Sequence, residues 1–445
     1  MIFSFFENLV KPFPIEEPIE PPKGLFAFCR HYTNGIWPIL FAMSFMTVLL
    51  AVIEVNLFAF LGNIVDWLTT ENQDLFWQNN WVELSLMCLL ILVGLPLIVF
   101  LQSSFKHQAL LGNYPMIIRW QAHRYILKQS LNFFNNEFAG RIAAKVMQTS
   151  LAVREVVMTL LDVMVYIGVY FMGLLVILGS AHISLMIPLV IWLLAYLALL
   201  YYFVPRLQKI SQNQADARSI MTGRIVDSYS NIMTVKLFSH SNMEADYARF
   251  GMGMFLNTVY TQMRKVTQFQ TLLYVNNMVI LFAVSYIVLN LWHNDLVSLG
   301  IVAVSISLVL RLNGLSQWIM WEVSTLFENI GTLQDGINTF SQTREVQDKA
   351  HAIAPIIDEG NISFQNITFN YGKAGGIIDN LTLHIKQGEK VGLVGRSGAG
   401  KSTLINLLLR LYDLEGGKIT VDGHNLTDLQ QDVLRKNIGV VTQDT

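Results

Sequence analysis

Eight residues, Gly395-Arg396-Ser397-Gly398-Ala399-Gly400-Lys401-Ser402, have the types and spacing needed to hold a chain of phosphates. The glycines let successive backbone N–H groups turn inward, the lysine ammonium reaches the terminal phosphates, and the serine hydroxyl suits a magnesium ion. Upstream, Lys390-Val-Gly-Leu-Val-Gly395 reads as a short apolar strand. Downstream, Thr403 to Leu411 reads as a helix, whose N-terminal partial charge favours anions. The alternative, a glycine-rich turn exposing a lysine, does not account for that strand-turn-helix context. Alternating segments at Ile362 to Phe369, Leu381 to Ile385 and Ile419 to Val421, with the apolar run Ile438 to Val441, predict a mixed α/β domain around the loop.

The elements in front of this domain belong to a different solvent. The 445-residue chain is 53% apolar and only 14% charged, against about 25% charged in soluble proteins, and its mean hydropathy is +0.44. Those values exclude a disordered, collagenous or ordinary soluble protein, and the near-balanced charge suggests no nucleic-acid partner. Charge is uneven along the chain: residues 345–445 hold 22 charged side chains and the first 344 hold 40. Apolar stretches near 36–61, 82–104, 156–179, 183–205, 268–291 and 296–321 are each long enough to cross a bilayer. The two long connections between them carry fifteen Lys and Arg, from Lys106 to Arg154 and from Arg206 to Lys265, and the short ones carry none. By the positive-inside rule the long connections and both termini face the cytoplasm. Helix-spaced apolar residues in Ala122 to Leu131 and Ala217 to Phe238 predict that the membrane helices continue roughly 35 Å into the cytosol. The first 24 residues, with five prolines and no cleavage pattern, read as an irregular cytoplasmic lead-in.

Four ionisable residues fall in or beside the spans: Glu54, Asp162, Arg311 and Glu322. Such groups face a bundle interior or water. For Arg311, near mid-bilayer, a structural pair or a water-filled vestibule is weighed ahead of a polar substrate contact. Cys29 and Cys88 suggest neither a disulfide framework nor a metal site, and the nine histidines show no ligand spacing.

Taken with Phe369-Asn-Tyr371, Gly388-Glu389-Lys390 and Val394-Gly395, the six spans and the phosphate loop resemble the ATP-binding cassette (ABC) exporter family in its half-transporter form. The resemblance covers nearly the whole chain. It implies an α-helical polytopic membrane domain joined to a partial α/β P-loop nucleotide-binding domain. The implied divisions are a lead-in (1–24), a transmembrane domain (25–343), a linker (344–359) and the N-terminal part of the nucleotide domain (360–445). It implies ATP and Mg2+ as cofactors, held by Gly395, Arg396, Ser397, Gly398, Ala399, Gly400, Lys401, Ser402 and Thr403. Tyr371 resembles the aromatic that stacks on adenine. Gln443, in Gly439-Val-Val-Thr-Gln-Asp, resembles the Q-loop glutamine, which with Ser402 contacts Mg2+. Coupling helices are implied near Asn132 to Arg141 and Asp227 to Phe238, as are a second half-transporter as partner, membrane lipid around the spans, and an amphiphilic lipid or drug-like cargo. The sequence departs from the pattern in containing no L-S-G-G-Q signature, no strand ending in a magnesium-facing aspartate and no glutamate base after it. Asp413 and Asp422 sit in turn sequences and do not substitute for them. The expectation is an ATP-driven exporter, in a bacterial inner membrane, whose residues as given bind nucleotide at best weakly and do not hydrolyse it. The alternative is a hydrolysis-deficient membrane subunit or regulator.

Overall fold

The computed structural model describes residues 2–70, 75–137, 139–372, 377–396 and 398–441. Among these, six helices are long and apolar enough to cross a membrane: α3 (Trp37–Thr70), α4 (Phe76–Leu127), α6 (Ala139–Ala181), α7 (Ile183–Ser230), α9 (Ser241–His293) and α10 (Leu299–Phe340). Each outruns the bilayer because its polar end keeps helical spacing and lacks breakers; α7 absorbs even Pro205. Short helices fill the remainder: α1 (Ile2–Glu7), α2 (Leu25–Thr33), α5 (Leu131–Asn136) and α8 (Ile232–Leu237). α5 overlaps, and α8 lies within, the segments where coupling helices are implied. The lead-in is less irregular than expected. α1 forms because Phe3 and Phe6 find aromatic partners on α4, Phe100 and Phe105, at ring distances of 6.2 and 5.2 Å.

The chain divides into two units. The first comprises Met1–Pro12, Cys29–Ile117 and Thr149–Gln334. Its core is built of helical i,i+4 pairs, Leu174/Leu178 on α6, Leu185/Leu189 on α7, Val284/Val288 on α9 and Leu308/Leu312 on α10. Polar bonds fix the register between these helices. Asn277 donates to Asn313 (2.8 Å) and Ser316 (2.7 Å), and accepts from the Trp192 indole (2.9 Å). At the end opposite the basic connections, Asp66 of α3 caps α10, accepting the Gly300 N–H at 2.6 Å and the Ser298 hydroxyl at 2.7 Å. Gly62 and Gly300 make this possible. A Cβ on Gly300 would stand 2.2 Å from the Gly62 carbonyl, and one on Gly62 would stand 2.4 Å from Val304.

The second unit comprises Phe13–Phe28, Ile118–Gln148 and Asp335–Thr445. Here the inner end of α4 holds the proline-rich lead-in: Trp120 donates to the Pro14 carbonyl (3.0 Å), Arg124 to that of Glu16 (2.8 Å), and Lys128 pairs with Glu17 (2.6 Å). The Lys128 ammonium lowers the Glu17 carboxyl pKa. Four strands, β1 (Ile362–Phe369), β2 (Ile378–Ile385), β3 (Gly416–Val421) and β4 (His424–Asn425), form an antiparallel sheet in the order β2-β1-β3-β4. Helices α11 (Lys401–Leu408) and α12 (Gln431–Lys436) complete the unit. Leu404 and Leu407 of α11 share a core with Phe364, Ile367 and Phe369 of β1 and Leu434 of α12.

One expected strand is not paired. Residues 390–396 run without ladder partners among the described residues, leaving Val394 99% exposed. An apolar run of this kind suits a strand flanked on both edges, and β1 to β4 pair only with one another. Ile438 to Val441 is likewise not strand, and Val441 is exposed.

Candidate functional site

The glycine-rich loop owes its shape to two left-handed residues, Gly398 (φ +85°) and Gly400 (φ +84°). Gly400 is also tightly placed, since a Cβ there would lie 3.2 Å from the Ile377 carbonyl oxygen. α11 starts on the next residue, so the N–H groups of its first turn, which have no intrahelical acceptors, open on the loop. The Lys401 ammonium bends back over the loop and donates to the carbonyls of Gly395 (2.8 Å) and Arg396 (2.9 Å). The Lys401 cation and the N-terminus of α11 therefore lie beside the same loop, a grouping whose charge and free N–H groups suit an anion. Ser402 is exposed beside it, where its hydroxyl could meet a phosphate-bound magnesium, and Thr403 is buried beneath. Ser397 and Gln443, both assigned from sequence, lie outside the described residues.

Tyr371 is brought to the same place. It follows β1 in a left-handed conformation (φ +54°) and its hydroxyl lies 3.3 Å from the Thr403 hydroxyl. Its ring meets Phe369 at 4.7 Å and Tyr412 edge-on at 5.0 Å. Tyr371 is 37% exposed. Tyr412, missed in the sequence, joins two sites. Burial raises its phenol's pKa, and its hydroxyl accepts from the Asn135 side chain of α5 at 3.1 Å. The neighbouring Asn132 and Ser130 donate to Glu345, at 2.9 and 3.2 Å. Hydrogen-bonded contacts thus run from a helix between two membrane spans to the ring packed against Tyr371. The only hint in sequence was an aromatic directly after the helix that follows the loop.

The carboxylates near the loop are engaged elsewhere. Asp413 pairs with Arg410 at 3.1 Å. That guanidinium is buried and also binds Asp348 and the carbonyls of Gln347 and Leu429. Asp422 occupies the two-residue turn between β3 and β4 at φ +48°, ahead of Gly423 at +80°. It accepts the N–H groups of Glu359, Gly360 and Asn361 at 3.2, 3.1 and 2.7 Å. Slight burial raises its pKa, but those bonds prevail and hold it below the usual carboxylate range. Arg435 closes the other end of α11, donating to the carbonyls of Leu409 (3.0 Å) and Arg410 (2.8 Å).

Known proteins carry the same two parts in the same order. The family profile described as the ABC transporter transmembrane region matches residues 40–315, and the one described as ABC transporter matches 378–445. The chain belongs to the ABC transporter family. An uncharacterised ABC transporter ATP-binding protein of Haemophilus influenzae is 46% identical over all of this chain and 72% of its own length. A putative multidrug export ATP-binding/permease protein of Bacillus subtilis is 24% identical over 74% of this chain and 57% of itself. The ATP-dependent lipid A-core flippase of Neisseria meningitidis is 46% identical over 112 residues, 25% of this chain and 18% of the flippase. A bacterial Atm1-family ABC exporter solved with ATP bound superposes with a TM-score of 0.77 at 18% identity, covering 93% of this chain and 72% of that one. The half-transporter resemblance therefore holds, the fold is that of this exporter family, and the protein is an integral membrane ABC transporter whose nucleotide domain implies ATP binding.

The ionisable span residues of this ABC transporter separate into two groups. Asp162 is a structural anchor: buried on α6, it accepts from Thr47 (2.5 Å), Gln102 (3.1 Å) and Lys106 (2.7 Å). Both ion-pair partners sit in π-helical turns, Ser104–Leu110 and Thr159–Val163. Such turns push single residues out of the helical ladder. Glu54, Arg311 and Glu322 make up the other group. Glu54 accepts a 2.5 Å bond from Tyr166 and lies 3.4 Å from Arg311, and Glu322 accepts from the Trp318 indole at 3.0 Å.

Proposed function

We propose that this chain is the membrane and nucleotide-gripping part of an ATP-driven exporter that works as a dimer of half-transporters and moves amphiphilic cargo out of the cytoplasm. The observation that carries the reading is the contact series from Asn135 of α5 through Tyr412 to Tyr371 and Thr403. It gives a change at the phosphate loop a packed, hydrogen-bonded route to a helix joined at both ends to membrane spans. In this reading Gly395 to Thr403 hold the phosphates, Lys401 exchanges its loop carbonyls for phosphate oxygens, Ser402 and Gln443 orient Mg2+, and Tyr371 stacks on adenine. The transmembrane domain spans 25–343, a linker follows to 359, and the nucleotide domain opens at 360. A bacterial inner membrane suits the basic residues on the long connections.

A second reading has one observation in its favour. Asp413 and Asp422 are both committed to structural bonds, so the residues present bind nucleotide and leave the attacking water without a base. The chain then contributes binding, and turnover needs residues beyond these. One pair of measurements separates the two readings. Binding of a fluorescent ATP analogue to the purified chain should weaken at least tenfold in Lys401→Ala, as loss of charge-assisted phosphate bonds implies, under either reading. Lys401-dependent hydrolysis by these residues alone would overturn the second, and binding indifferent to Lys401 would overturn both.

A further inference from the structure

α1 turns an apolar side outward. Phe6 is buried, its ring edge-on to Phe105 of α4 at 5.2 Å, and Phe3 meets Phe100 at 6.2 Å, so one flank of the helix is packed on α4. The Asn113 side chain fixes the end of α1 by donating to the Glu7 carbonyl at 2.9 Å. The helical course continues past Glu7, where the Asn8 N–H donates to the Ser4 carbonyl at 3.2 Å. At about 3.6 residues per turn, Ile2, Phe5 and Leu9 share a second flank, and Ser4, Glu7 and Asn8 a third. The second flank is uncovered: Ile2 is 63%, Phe5 64% and Leu9 38% exposed. Removing side chains of this kind from water is favourable, so the flank calls for an apolar cover.

Depth identifies the cover. Gln102 of α4 reaches the Thr47 hydroxyl of α3 at 3.4 Å, so the two helices are level there. Thr47 is nineteen residues from Asp66, which caps α10 at the opposite end of the spans, a distance of about 28 Å at 1.5 Å per residue. The hydrocarbon of a bilayer is about 30 Å thick. α1 touches α4 on either side of Gln102, at Phe100 and Phe105, and Lys106 follows as the first charge after the apolar run. α1 therefore lies where hydrocarbon gives way to headgroups, on the cytoplasmic side that the basic connections define. The adjoining surface of α4 is apolar and open: Leu92, Leu97 and Phe100 are exposed, and its most apolar 18 residues bury no side chain. Ile2 to Glu7 contain no lysine or arginine that would seek anionic headgroups. We propose that the Ile2, Phe5 and Leu9 flank of α1 is sunk among the acyl chains of the cytoplasmic leaflet, continuing the lipid-facing side of α4, with Ser4, Glu7 and Asn8 turned to headgroups and water. Residues 2–10 are then a lipid anchor separate from the six spans, and not the cytoplasmic start that the prolines suggested. The anchor holds whether or not the chain drives export.

The test compares two flanks of one helix. In the full chain carrying Cys88→Ser, the remaining Cys29 is buried, and a single new thiol is placed by Phe5→Cys or by Asn8→Cys and labelled with a nitrobenzoxadiazole fluorophore. Each labelled chain is reconstituted in phosphatidylcholine nanodiscs, with and without phosphatidylcholine carrying a nitroxide high on its acyl chain. The label at position 5 should emit to the blue of the label at position 8 and be quenched at least about twofold more strongly by the nitroxide lipid. Exchanging part of the phosphatidylcholine for phosphatidylglycerol, or raising the salt, should leave that ratio unchanged, because the contact is apolar. Equal quenching at the two positions would overturn the proposal. A blue-shifted label at position 5 that the nitroxide does not quench would also overturn it, since protein, such as a second copy of the chain, would then be the cover. Quenching that vanishes at high salt would show an electrostatic attachment and overturn it as well. If Phe5→Cys does not fold, Ile2→Cys on the same flank gives the same comparison.

Discussion

Replacing Lys106 by methionine removes the cation from a carboxylate that has almost no access to water. The Asp162 side chain is 6% exposed and Lys106 is 32% exposed, with 2.7 Å between them. Taking one partner from a buried pair costs about 3–5 kcal/mol. Here the Thr47 and Gln102 donors remain, each worth about 0.5–1.5 kcal/mol, so Lys106→Met should lose about 2–3 kcal/mol. Asp162→Leu should lose less, about 1–2 kcal/mol, because the long lysine side chain can carry its ammonium toward water. The double variant, with neither charge left, should melt above both single variants. Thermal denaturation in detergent, read as the surviving monodisperse peak on size exclusion, gives the order directly. If the double variant melts below either single variant, or Lys106→Met melts with the native protein, the pair is not the anchor its geometry describes.

Gly300→Ala should destabilise the chain by about 1–3 kcal/mol, the cost of forced overpacking, because the new methyl would collide with the Gly62 carbonyl at 2.2 Å. Gly253→Ala, with nothing within 4 Å of its Cβ position, should leave the melting temperature unchanged or raise it. The Asp422 carboxylate, held below its ordinary pKa by backbone N–H bonds, contributes stability at neutral pH. That contribution is lost as pH falls past the 3.8 of a free aspartate and through its lower folded value. Hydrogen exchange at Glu359 to Asn361 should therefore be faster in Asp422→Ala than in the native chain at pH 7, and the difference should shrink on acidification below that window.

Much of this architecture was legible in the residues because its causes are local. Six apolar runs named six spans, and the glycines, lysine and serine of the loop named the ABC transporter domain that contains them, since each motif is carried by residues close in sequence. β1 was expected at Ile362 to Phe369 and forms there between β2 and β3, its alternation belonging to a strand with one covered face. What escaped was non-local. Lys390 to Gly395 has strand composition, but a strand needs neighbours, and none of the described strands lies beside it. Tyr412 and Asn135 are 277 residues apart in sequence, and neither carries a signal that it meets the other. The pairing of Arg311 with Glu54 was equally invisible, because spacing along one helix says nothing of which carboxylate on another it meets. The π-helical turns around Lys106 and Asp162 have no compositional mark either.

The seam between Asp66 and Gly300 has a mechanical consequence. Where two rods meet through bare backbone and a capping carboxylate, separating them uncovers little oily surface, and water can replace each lost bond at a cost of about 1 kcal/mol. The zipped leucine and valine pairs deeper in the same bundle offer no such exchange. Prising the bundle apart should therefore begin at this end, with the glycines as the tear line and the aliphatic rows as the hinge about which the rods swing.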